Sequence, residues 1–111
     1  MKIRESVFDK GVTVFEIEDG DEGAIVEAAD KRGTLGFALL GEGVPTPMIV
    51  VDSRIMSQGF TYAHVLAIEA HEVGHIHKGA DERDAELRAI ELLKEHCLDE
   101  SVKILQERGI V

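Results

Sequence analysis

Among 111 residues there is one cysteine, no tryptophan, one tyrosine and only two prolines. A lone Cys97 cannot close an intrachain disulfide. Small secreted domains usually depend on several, so a reducing, cytoplasmic compartment is expected. Long apolar stretches are missing as well. Met1 to Gly11 is mixed and charged, where a signal peptide or membrane anchor requires a sustained apolar run, and runs such as Phe37 to Leu40 and Met48 to Val51 are only strand-sized. No membrane partner is expected. Positive charge is scarce too: 12 Lys and Arg face 22 Asp and Glu, a formal net charge of −10. A phosphate backbone would be repelled over most of such a surface, which argues against nucleic acid as a partner.

What is there fits one globular domain over residues 1–111, with 44% hydrophobic and 31% charged residues and room for a modest core. The first half reads as strands. Val12–Ile17 and Gly23–Glu27 are short, β-branched and closed by Gly or Asp clusters, with Asp19-Gly20-Asp21-Glu22-Gly23 as the turn between them. Thr34–Leu40 and Met48–Val51 follow, separated by the breaker Gly41 to Pro47. Short connections predict an antiparallel meander. From Phe60 the apolar period becomes helical through Val65, Ile68, Val73 and Ile76, with Thr61 as N-cap and Gly79 as terminator. Asp81 caps a second predicted helix to about His96, and Asp99 a third that stops at Gly109. The expected class is α+β: a small antiparallel or mixed sheet of about four strands, then three helices.

Within the first of these helices stands His71-Glu72-Val73-Gly74-His75. Residues four apart share a helical face about 6 Å apart along the axis, so two imidazoles can address one metal ion. Glu72 sits one step round, beside the ion and near a water. With five His and fourteen Glu, a random chain shows this pattern about one time in forty, so its surroundings matter. A catalytic zinc site takes three protein ligands and leaves a position open. Gly79 marks a bend that brings Glu82 across from His75. Glu86, one turn further, either replaces Glu82 or hydrogen-bonds one of the histidines from outside the ligand set. Asp81 and Asp84 are weaker candidates, since each suits a capping or solvent-facing position.

His71-Glu72-Val73-Gly74-His75 followed by Glu82-Arg83-Asp84-Ala85-Glu86 resembles the HExxH and E-x-x-A-D pairing of gluzincin metallopeptidases, in particular minimal gluzincins and the ImmA/IrrE-type proteases. Met48-Ile49-Val50-Val51-Asp52 ahead of the long helix is similar too. The resemblance implies a zincin-like fold and one Zn²⁺ per chain held by His71, His75 and Glu82, with Glu72 as general base. It also implies a protein or peptide substrate lying extended along an edge strand, for which Thr34–Leu40, with Gly33 and Gly36, is the candidate. Glu86 stands where relatives usually carry Asp, and the interval from His75 to Glu82 is short, so Glu86 and Asp81 stay open as third ligands.

Each remaining feature has a plain reading. His64, Tyr62, His77 and Arg88 are possible donors to an oxyanion or substrate, although capping and solvent roles suit His64 and His77. Gly74 inside a helix points to close packing, Cys97 to a small apolar filler, and Met48 and Met56 to core. The end of the chain completes the core or, through Ile110-Val111, plugs the cleft. The competing function is a non-catalytic or latent binding module in which four protein ligands hold a structural metal.

Overall fold

Alternating β-branched and aromatic residues form the sheet, and the 3.6-residue period forms the helices, in a computed structural model that describes residues 1–108. The order is β1 (Lys2–Glu5), β2 (Thr13–Ile17), α1 (Ala24–Arg32), β3 (Gly36–Leu39), β4 (Met48–Asp52), a 3₁₀ turn (Ser53–Gln58), α2 (Tyr62–Lys78), α3 (Glu82–Glu95) and α4 (Asp99–Arg108). The proposed plug Ile110-Val111 and the stop at Gly109 lie outside the described residues. No helix among the described residues is long and apolar enough to cross a membrane.

The fold is α+β with a four-stranded mixed sheet in the order β1-β2-β4-β3. Two expectations change. Gly23–Glu27 is not a strand but the start of α1, in which Val26 and Ala29, three residues apart, are buried against Ile17, Phe37 and Val50. A five-residue window closes before Ala29 and has no period of its own. The sheet is therefore not an antiparallel meander: α1 carries the chain over the sheet, β4 enters between β2 and β3, and β2 pairs with it in parallel. β1, which the charged opening Lys2-Ile3-Arg4-Glu5 did not suggest, forms one edge and β3 the other.

The larger core lies between the other face of the sheet and α2 to α4, from Val14, Ile49 and Val51 to Ile68, Val73, Leu92, Leu93 and Leu105. Thr61 caps α2 as expected, and His64 completes the box, its Nδ1 accepting from Thr61 N at 3.2 Å. In the middle of α2, Glu69 is fully buried. It accepts from Arg4 Nη2 at 2.5 Å, Ser6 Oγ at 2.7 Å and Val7 N at 2.9 Å, which fixes the rotation of the helix against β1. Such a carboxylate is tolerated inside only because its lone pairs are met. Cys97 is not an apolar filler: it is exposed, in a left-handed conformation (φ 56°) just past α3. Met56 is exposed as well, because it sits on the outer side of the 3₁₀ turn, and Met48 is half-buried.

Candidate metal centre

The period of α2 brings His71 and His75 to one face, and α3 returns antiparallel to it after a sharp bend. Gly79 makes the bend at φ 95° and ψ −159°, a conformation that L side chains rarely adopt. Asp81 then caps α3, accepting from Asp84 N at 2.9 Å, and Glu82 takes its first position. The helix N-terminus there favours a carboxylate. Gly74 sets how closely the two helices lie: a Cβ at that position would fall 2.2 Å from the Ala85 carbonyl oxygen. The close packing read from Gly74 is thus realised against the turn that carries Glu82.

Three donor atoms converge as a result. His71 Nε2 lies 3.1 Å from His75 Nε2 and 2.9 Å from one Glu82 oxygen, while the other Glu82 oxygen is 3.1 Å from His75 Nε2. The donors of His71, His75 and Glu82 all fall within 4.8 Å of one another. At about 2.0–2.2 Å from a tetrahedral zinc ion, neighbouring donors stand roughly 3.3 Å apart, close to what is seen here. His75 Nδ1 lies 2.8 Å from the Gly79 carbonyl, an acceptor only, so Nδ1 carries a hydrogen and donates it. That leaves the Nε2 lone pair of a neutral His75 facing the cluster. A proton can bridge one pair of these atoms at a time, whereas a metal cation accepts from all three. The donor set therefore suits a metal.

Charge and burial differ among the members. His71 is buried, and its pKa is lowered by loss of water and then by His75 nearby, against the opposing pull of Glu82 and Glu86. Its Nδ1 is buried with no hydrogen-bond partner among the described residues. Glu72 is 5% exposed, and burial first, then the Glu82 charge, pushes its pKa up to about 7 despite the opposing influence of His75. Glu82 keeps its side chain 71% exposed, so the cluster opens to solvent on that side.

A cleft of about 400 Å³ runs past the cluster, lined on α2 and α3 by His71, Glu72, His75 and Glu82 and across from them by Arg32, Thr34 and the β3 edge. Gly36 lets β3 approach: a Cβ there would lie 2.5 Å from Ile68 Cγ2 and 3.3 Å from Glu72 Cγ. The expected edge-strand position of Thr34–Leu40 is thus met by β3.

The other candidates are not among the three converging donors. Glu86 is half-buried on α3 and makes no hydrogen bond to either histidine among the described residues, and Asp81 is occupied as a cap. His64 and Tyr62 stand two turns or more before His71, roughly 10 Å away along the axis. His64 serves the cap, and the Tyr62 hydroxyl lies 3.4 Å from Arg4 and from Glu16. His77 Nε2 is 2.6 Å from Asp9, and its Nδ1 accepts from Arg88 Nε at 3.1 Å. Arg32 borders the cleft without having been singled out in the sequence, whereas Thr34, Phe37 and Ala38 belong to the stretch expected to form the substrate edge. Only the topology, which lays β3 beside α2, brings them there. Glu69 had a signal that was not used: an acid inside the apolar stretch Val65 to Ala70.

Comparisons with family models, with curated proteins and with solved structures give no match.

Proposed function

We propose that the chain is a zinc-dependent metallopeptidase of zincin-like architecture, in which His71, His75 and Glu82 hold the ion and Glu72 is the general base. The observation that carries the reading is the convergence of three donor atoms on one point of an open cleft, with a buried carboxyl next to them. Zinc in such a site lowers the pKa of water to about 7 and polarises a scissile carbonyl. Glu72 takes the proton of the attacking water on a carboxylate oxygen and returns it to the leaving amine nitrogen. The low-dielectric wall formed by Gly36 and Ile68 strengthens every charge interaction Glu72 makes. The substrate backbone lies along β3, adding a strand to the free edge. A structural metal would close its coordination with a fourth protein ligand. Among the described residues the cluster has three members, which favours catalysis over the stapling role.

Metal analysis of the purified protein combined with cleavage of an unfolded protein tests this. Wild type is expected to carry one zinc and to cleave. Glu72→Gln should keep the zinc and lose activity by about 10²- to 10⁴-fold. Glu82→Ala should lose the metal, and Glu86→Ala should retain it. Full proteolysis by Glu72→Gln sinks the mechanism, and loss of zinc from Glu86→Ala alone reassigns the third ligand.

A further inference from the structure

The free edge of β3 is shorter than the strand. Asp52 N donates to the Leu35 carbonyl at 2.9 Å, and Phe37 pairs with Val50, so Leu35, Phe37 and Leu39 turn their backbone groups toward β4. By alternation Gly36 and Ala38 turn theirs outward. At Gly36 both outward groups are already met, because the Thr34 hydroxyl donates to the Gly36 carbonyl at 2.6 Å and accepts from its N–H at 3.2 Å. Ala38 has no such side-chain partner among the described residues. A strand added here is therefore seated on Ala38.

That seat decides where its side chains go. Gly36 faces Ile68 and Glu72 on the α2 side, and Ala38 shares that face, so a peptide residue opposite Ala38 projects toward the donor cluster. Its neighbour opposite Phe37 projects to the other face, where Phe37 packs against α1. The guanidinium of Arg32, at the end of α1, lies over that ring with Cζ 4.6 Å from the centroid. Arg4, Arg54 and Arg88 each reach a carboxylate, whereas Arg32 has none among the described residues and is exposed at the cleft. An arginine placed over the face of an aromatic ring can still offer N–H groups to a carboxylate.

We propose that the cleft selects an extended peptide segment carrying Asp or Glu at the residue opposite Phe37, whose carboxylate is received by Arg32. The proposal deepens the peptidase reading and rests on it for the use of the cleft. It also runs against the overall field: at a net charge of −10 the surface as a whole favours basic peptides, so a preference for acid must come from a local cation.

The test uses three mixtures of fluorescent octapeptides, randomised except for a central Glu, Gln or Lys, at about 0.15 M salt, where distant charges are screened. Binding is read by anisotropy on zinc-loaded Glu72→Gln, with or without a second substitution at Arg32, and cleavage on the otherwise wild-type chain. The Glu mixture is expected to bind about tenfold more tightly than the Lys mixture. Arg32→Glu should reverse the order, and Arg32→Gln, which keeps a planar polar group, should abolish the preference without reversing it. A preference unchanged by both substitutions, or no binding of any mixture, overturns the proposal. Cleavage of all three mixtures at equal rates overturns the acid preference and leaves hydrolysis standing. Arg32-dependent binding of the Glu mixture without any cleavage does the opposite.

Discussion

Burying a carboxyl beside three lone pairs has a cost that can be measured without any substrate. In the metal-free chain Glu72 holds its proton to about pH 7, whereas an unfolded chain releases it near the ordinary value of 4.5. Between those limits the native state binds the extra proton, so the contribution of Glu72 to stability falls as pH rises through the window and is constant above it. Two and a half pH units correspond to about 3 kcal/mol for a group this deeply buried. Glu72→Gln has no proton to lose, and titrating groups remote from position 72 cancel in the comparison. Urea denaturation of both proteins in chelator, at pH 5 and pH 8, should show wild type losing about 2–3 kcal/mol relative to the variant across that interval. Equal changes in the two proteins would mean that water reaches the carboxylate in the native state.

At the level of elements, the site depends on how closely α3 lies on α2. A methyl group at Gly74 would meet the Ala85 carbonyl, a rigid backbone atom, at 2.2 Å, so the helices must separate. Overpacking of this kind exceeds the roughly 1 kcal/mol of helix propensity that Ala brings. Gly74→Ala is expected to lower stability by about 2 kcal/mol and to weaken zinc binding, because Glu82 moves with α3 while His71 and His75 stay on α2. An unchanged zinc affinity by competition with a chelator would show that Glu82 is not held by this contact. α2, α3 and their caps were legible in the sequence because each rests on local chemistry: Thr61, Gly79 and Asp81 end or start helices by their own hydrogen bonds and φ preferences. The cluster followed from the same signals, since His71, His75 and Glu82 are positioned by one helix and one bend. The sheet order was not legible. Whether Gly23–Glu27 continues as helix or stops as strand depends on burial of Val26 and Ala29 against β-strands far along the chain, and the parallel pairing of β2 with β4 depends on that outcome. The place of Arg32 in the cleft wall went unread for the same reason, since no local signal says that the end of α1 lies beside the cluster, whereas the stretch Thr34–Leu40 was expected at the substrate edge.

Taken as a whole, the molecule is a small domain with a net charge of −10 and a cluster of His71, His75 and Glu82 joined to its core through α2 and α3. A chain of this size has little stability to spare, so an ion that binds the folded chain and not the unfolded one shifts its melting measurably. At a free zinc concentration about 100 times the dissociation constant, the gain is about 2.7 kcal/mol, which for a domain near this size raises Tm by roughly 10–20 °C. The negative field complicates a naive reading, because it attracts any divalent cation to the surface. Magnesium provides the control: it prefers oxygen donors and octahedral geometry, so a two-imidazole site discriminates against it, whereas a diffuse acidic surface does not. Calorimetry of the chelator-treated protein should therefore show a rise in Tm with zinc, little change with the same concentration of magnesium, and no zinc effect in His75→Ala. If zinc raises the Tm of wild type and His75→Ala alike, or magnesium matches zinc, the stabilisation belongs to the acidic surface and His71, His75 and Glu82 do not form a metal site.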